Sequence, residues 1–202
     1  MIKGTPYSAI VSETEAKFMA TSSTFPVEIA LDHYFYKQLL SETERLNSRD
    51  YEIAQRMIGV EIDMQNINWI IRFKSSYNLP LEDVLQYIIP RGYMIDRETA
   101  ASAYASQNVA DLLSTLIKKR YSALQTMLTA QGKESYARLV LIERILEQIM
   151  LYEVRHVLAG YPFTIGIMLA YFILKRNEIK KIMTILNAKY YRIAEERIKS
   201  VL

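Results

Sequence analysis

The chain has 202 residues, half of them apolar, with 6 Gly, 5 Pro, 2 His and no Cys. The lack of Cys removes disulfides, thiolate nucleophiles, iron–sulfur clusters and thiolate zinc sites, and two histidines cannot by themselves build a His-rich metal centre. No glycine-rich phosphate loop appears, and a net charge of +3 is too mild to announce nucleic acid.

In chain order, the first six residues, Met-Ile-Lys-Gly-Thr-Pro, carry no apolar signal core. Pro26 opens a helix over 27–46 and Pro80 one over 81–89, each with acids in its first turn (Glu28; Glu82 and Asp83). Pro90-Arg91-Gly92 reads as a turn. Asp96 caps a short helix with Glu98 near its start. Ser106-Gln107-Asn108 punctuates before 109–117, and Gln131-Gly132 separates 121–130 from a long helix beginning near Glu134. The longest apolar run, 161–174, has 14 residues, short of the roughly 20 a spanning helix needs. It reads as a buried core helix, so no direct membrane insertion is expected. With scarce Gly and Pro and no period-2 runs, the chain is all-α, with nine or ten helices of uneven length.

The chain also resembles itself. Tyr7-Ser8-Ala9-Ile10 recurs as Tyr121-Ser122-Ala123-Leu124, and Leu31-Asp32-His33 as Ile142-Glu143-Arg144. Asp63, Ile67, Ile70 and Lys74 recur as Glu178, Ile182, Ile185 and Lys189. Leu79-Pro80-Leu81-Glu82-x-Val84 pairs with Ile193-Ala194-Glu195-Glu196-x-Ile198 once one residue is dropped. Four matches in one order predict two tandem helical modules, residues 1–115 and 116–202.

In each module the acid, two isoleucines and lysine lie within about 60° of one another around a helix. Asp63 and Lys74 thus share a face with Ile67 and Ile70, with Asn66 at its edge, and Glu178 and Lys189 flank Ile182 and Ile185 in the same way. Charges on an apolar stripe are costly unless paired or placed at its ends. These residues are expected to form boundary salt bridges or contacts to the next helix. The alternative is a surface that docks another protein.

At these residues the sequence resembles a known family. Val60-Glu61-Ile62-Asp63-Met64-Gln65-Asn66-Ile67, then Ile71-Arg72-Phe73-Lys74 and Ile88-Ile89-Pro90-Arg91-Gly92, is similar to the middle module of the C (or d) subunit of archaeal and vacuolar-type rotary ATPases. Pro162-Phe163-Thr164-Ile165-Gly166, with Ala170-Tyr171, Lys175, Asn177-Glu178-Ile179, Ile182, Ile185-Leu186 and Lys189, is similar to its last module. Gly4-Thr5-Pro6-Tyr7 and Phe25-Pro26-x-Glu28-x-Ala30-Leu31-Asp32 fit the segment joining the first and second modules. The match runs essentially the full length of the chain.

The resemblance implies an all-α funnel of three modules about a pseudo-threefold axis, of which this chain would supply two. It also implies a non-catalytic central-stalk subunit of a proton- or sodium-translocating ATPase or ATP synthase. Such a subunit is a socket between the rotor shaft and the membrane proteolipid ring, peripheral on the cytoplasmic face and without a cofactor. The sequence departs from the family in lacking the first module, as a fragment, a shortened form or a funnel completed by another chain. Lys181 stands where members often carry Asn, and Asn187 stands opposite Arg72 of the other copy.

Other classes have weaker support. Glu61 and Asp63 are two apart and point to different helix faces, so they make a poor acid–base pair. Neither His33 nor His156 has a nucleophile nearby in sequence. Lys118-Lys119-Arg120-Tyr121 and Lys175-Arg176 fall at expected helix ends, where cations complement the dipole, so no nucleic-acid partner is expected. A helical scaffold of another assembly is the alternative that the repeat alone allows.

Overall fold

The computed structural model describes residues 4–21, 24–106, 135–196 and 198. Among them the chain is all-α. Helix α1 spans Tyr7–Thr21, α2 Phe25–Thr43 and α3 Ser48–Arg72, and a π-helical turn, Phe73–Tyr77, continues α3. Then follow α4 (Leu81–Tyr87), α5 (Arg97–Ala105), α6 (Ser135–Leu158) and α7 (Ile165–Tyr190). The helices expected at 109–117 and 121–130, the basic cluster 118–120, the repeat copy at 121–124 and the module boundary at 115 lie outside the described residues.

Local chemistry sets the helix ends. Pro26 sits in the first turn of α2, where its missing N–H costs nothing. The Asn47 side chain accepts the Asp50 amide to cap α3, and Asp96 accepts the Thr99 amide at 2.7 Å to cap α5. Helix α4 stops at Tyr87, two residues earlier than its sequence pattern predicts, and Ile88 is extended. The cause is Pro90, which disfavours helical backbone at Ile89 before it. Past the π-helical turn, Asn78 adopts the left-handed conformation with φ 47°, and its amide closes onto the Phe73 carbonyl.

Helices α2 and α3 form an antiparallel pair, tied by Gln65 to Asp32 at 3.2 Å and by Gln55 to Thr43 at 2.6 Å. Helices α6 and α7 form a second antiparallel pair, tied by Lys181 to Glu147 at 2.8 Å. Between the pairs, α3 and α7 run side by side and parallel. Asp50 accepts the Ile165 amide at 2.9 Å, and Arg176 bonds Glu61 at 2.5 Å. Helix α6 also lies on α3, where Arg56 Nε donates to Glu153 at 2.8 Å.

One apolar cluster runs through these contacts, from Ile29 and Leu40 through Met57, Ile67 and Ile70 to Ile145, Ile149 and Ile173. At the end of α3, Phe25, Trp69, Phe73 and Tyr87 pack edge to face or tilted, with ring centroids 5.3–6.2 Å apart. The 161–174 run departs from its expected burial. Gly166, Ala170 and Ile173 are buried, whereas Phe163, Met168, Tyr171 and Phe172 are exposed. Small residues let the inner face of α7 approach its neighbours, and the bulky ones point the other way. No helix among the described residues is long and apolar enough to cross a membrane.

Candidate functional site

Buried polar groups on α3 decide how the chain after it is held. Asp63 is buried, and its carboxylate accepts the Met94 amide at 2.8 Å and the Ile95 amide at 3.0 Å. Asn66, fully buried one turn on, exchanges two bonds with the Ile89 backbone: its Nδ2 donates to the carbonyl and its Oδ1 accepts the amide, both at 2.9 Å. The turn from Ile89 to Ile95 is therefore stapled to α3 by two side chains that substitute for missing backbone partners. Burial pushes the Asp63 carboxyl up to about 6, against the opposing pull of the Ile95, Met94 and Tyr93 amides.

The backbone fits closely against this staple. A Cβ on Gly92 would stand 2.3 Å from Asp63 Oδ1 and 2.9 Å from the Ile95 carbonyl oxygen. The Tyr93 amide donates to the Gly59 carbonyl at 3.2 Å, and a Cβ on Gly59 would lie 3.1 Å from Tyr93. Both glycines mark places where two backbones, or a backbone and a carboxylate, approach too closely for a side chain.

Asp63 and Lys74 do not form the direct pair their shared face predicts. Eleven residues of helix separate them by roughly 16 Å along the axis. Lys74 instead donates to the carbonyls of Tyr104 and Ser106 and lies over the Tyr104 ring, 5.3 Å from its centroid. The Tyr104 hydroxyl donates to the Leu79 carbonyl at 2.6 Å. Asp63 and Asn66 on α3, and Lys74 in the π-helical turn that continues it, thus each fix a different part of residues 89–106. Asp63 and Asn66 meet the turn before α5, and Lys74 meets the end of α5.

The second copy of the pattern has different surroundings. Glu178 is exposed and accepts Lys175 Nζ at 2.6 Å, one turn away on its own helix. Lys189 is exposed in the last turn of α7, again too far along the helix to meet Glu178. Ile182, the counterpart of fully buried Ile67, is 49% exposed.

Four polar contacts join residues at least 34 positions apart on different helices without forming any short motif: Arg56–Glu153, Glu61–Arg176, Glu147–Lys181 and Asp50 with the Ile165 amide. Glu153 is fully buried, and Asp50 places a carboxylate at the N-terminus of α7, where the helix dipole favours one. Their only trace in the sequence is a charge at an otherwise apolar helical position, which Glu153 shows among Ile149, Met150 and Val154.

A cleft of about 520 Å³ lies between α1, α2 and the turn before Gly92, with Glu13, His33, Lys37 and Arg91 among its lining residues. His33 Nε2 donates to the Tyr87 carbonyl at 2.7 Å while its ring stacks on Trp69, so it serves as a strut between α2 and α4. His156 is exposed in the last turn of α6. Among the described residues no group of three or more His, Cys, Asp or Glu is arranged to hold a metal ion. Together these contacts lock the turns between helices, and the helices themselves, to their neighbours.

The model of the ATP synthase (C/AC39) subunit family matches residues 1–201. The chain belongs to that family. Among curated relatives, it is 27% identical to the A-type ATP synthase C subunit of Methanobrevibacter smithii over 188 residues, 93% of this chain and 48% of the relative. It is 24% identical to the corresponding protein of Methanocaldococcus jannaschii over 204 residues, covering 100% of this chain and 50% of that one. That of Methanothermobacter thermautotrophicus is 24% identical, with 93% of this chain and 48% of the relative covered. The chain therefore spans about half the length of the relatives it matches. No solved structure matches it.

Proposed function

We propose that this member of the ATP synthase (C/AC39) subunit family is a non-catalytic central-stalk subunit of an archaeal or vacuolar-type rotary ATPase. It couples the rotor shaft to the membrane proteolipid ring and stays peripheral to the membrane through the complex. The observation that carries this reading is a family match running from the first residue to the last but one. The mechanics agree with it. A torque-bearing part needs little internal compliance, and long helices packed in antiparallel pairs supply that. The turns between them add further stiffness, because Asp63, Asn66 and Lys74 anchor them to α3.

The chain is built as two tandem modules, with α2 and α3 in the first and α6 and α7 in the second. Support for this comes from the contact register. Helices α3 and α7 lie parallel, and Asp50 meets residue 165 while Glu61 meets residue 176, both 115 positions on. The repeated acid–isoleucine–isoleucine–lysine pattern has the same spacing. Side-by-side stacking of equivalent helices is how repeat units bury a shared core.

Co-purification tests the function. Tagged chain, expressed with the shaft and proteolipid subunits of its own source, is expected to retain both. A chain that retains neither overturns the stalk assignment and favours a helical scaffold of another assembly.

A further inference from the structure

Arg56, Gly59 and Asp63 lie on one stripe of α3, because offsets of three and seven positions return to the same side of a helix. That stripe faces the turn from Ile89 to Ile95. Asp63 holds the Met94 and Ile95 amides, and the Gly59 carbonyl accepts the Tyr93 amide at 3.2 Å. Three consecutive amides of the turn are thus bonded to α3. The point from which the Tyr93 side chain leaves the backbone is fixed by them.

Arg56 stands at the head of the stripe, and its guanidinium is engaged twice. Its central carbon is 5.9 Å from the centroid of the Tyr93 ring, within reach of a cation–π attraction. Its Nε donates to Glu153 at 2.8 Å, and Nη2 donates to the same carboxylate oxygen. Glu153 is fully buried, flanked on α6 by Met150, Val154 and Val157, all buried. A carboxylate so placed needs its cation, so Glu153 decides where the guanidinium sits. A flat guanidinium can serve a carboxylate and an aromatic face together, which a compact ammonium does less well. The ring belongs to the turn between α4 and α5, and the carboxylate belongs to α6.

We propose that Arg56 is a coupling element through which the 89–95 turn and α6 hold each other in place, so that loosening either one loosens the other. Both partners restrict one shared group. When the carboxylate loses its charge, the guanidinium turns toward water and the ring loses its partner. When the ring moves away, the guanidinium is held by Glu153 alone. The inference stands on these contacts and is independent of the stalk assignment, so the two can fail separately.

Urea unfolding of the full chain in a mutant cycle tests it. Tyr93→Leu keeps an apolar side chain and removes the π face, while Glu153→Gln removes the charge. The effect of Tyr93→Leu on the unfolding constant is expected to be at least about threefold smaller in the Glu153→Gln background than in wild type. In the Arg56→Met background the two substitutions should be additive, because the group they share is gone. Arg176→Ala, which breaks a half-exposed pair between α3 and α7, should leave the effect of Tyr93→Leu unchanged. Additivity in the presence of Arg56, or coupling that persists with Arg56→Met, overturns the proposal.

Hydrogen exchange supplies a local readout. Glu153→Gln should speed exchange of the Tyr93, Met94 and Ile95 amides more than that of Val60 and Ile62 in the middle of α3. Equal acceleration would mean that the loss reaches the turn only through global unfolding, and would overturn the coupling. If Glu153→Gln is too unstable to measure, Arg56→Lys takes its place in this arm. It leaves Glu153 a cation, gives up the flat guanidinium, and should show the same selective acceleration.

Discussion

Asp63 is held where two demands conflict: its carboxylate accepts backbone amides, yet burial favours the protonated acid. With the folded value raised from 3.8 to about 6, the folded state binds the proton more tightly than the unfolded chain. That difference corresponds to about 3 kcal/mol, fully present below pH 4 and lost as pH rises through 6. Urea unfolding of wild type against Asp63→Asn should therefore show wild type losing ground chiefly between about pH 4 and 6, the interval spanned by the shift. An unchanging difference would mean that the amides hold Asp63 at an ordinary value. Gly92→Ala should cost about 1–3 kcal/mol by the same measurement, because the new methyl group meets Asp63 Oδ1. An unchanged midpoint would show that the 89–95 turn can shift without cost. The sequence placed Asp63 and Asn66 on one helix edge. Their partners, backbone amides about 30 residues further on, leave no mark in side-chain identity, since any residue but proline offers an N–H.

At the scale of elements, the contacts between helices sort by burial. Breaking Arg56–Glu153 by Glu153→Ala leaves a largely buried guanidinium without its carboxylate, and thermal or urea unfolding should register a loss of about 3 kcal/mol. Arg176→Ala removes a half-exposed pair and should cost under about 1 kcal/mol. Equal costs would contradict this ordering. Lys74→Met keeps the apolar stem but strips two carbonyls of their donor. It should destabilise by about 1–3 kcal/mol and speed amide exchange at the end of α5 while leaving α6 and α7 protected. Uniform exchange throughout would place Lys74 in the global core instead. Prolines, caps and spacing in the sequence predicted the starts of α2, α4, α5 and α6 to within two residues, and no ends for α3 or α7. The apolar pattern mistook the environment of α7, because an apolar run reports that a surface avoids water and not which molecule covers it.

For the molecule as a whole, one apolar cluster joins α2 and α3 to α6 and α7, so the two proposed modules should unfold together. Trp69, the single tryptophan, lies in the first of them beside His33 and Phe73. Its fluorescence should follow the same denaturant transition as far-UV circular dichroism, which senses all helices. A tryptophan transition preceding the loss of helicity would show that the second pair is stable alone.

The sequence by itself determined the helical class, the cap at Asp96, the helix start at Pro26, the turn at Pro90 and the stretches that carry the family resemblance. Each of these depends on local preference or on spacing within one helix. Only the tertiary structure decided that Asp63 and Lys74 act separately, that α3 and α7 lie parallel, and that Ile182 is open where Ile67 is covered. Those outcomes depend on which distant backbone or helix arrives at a face, and the residues on the face do not encode that.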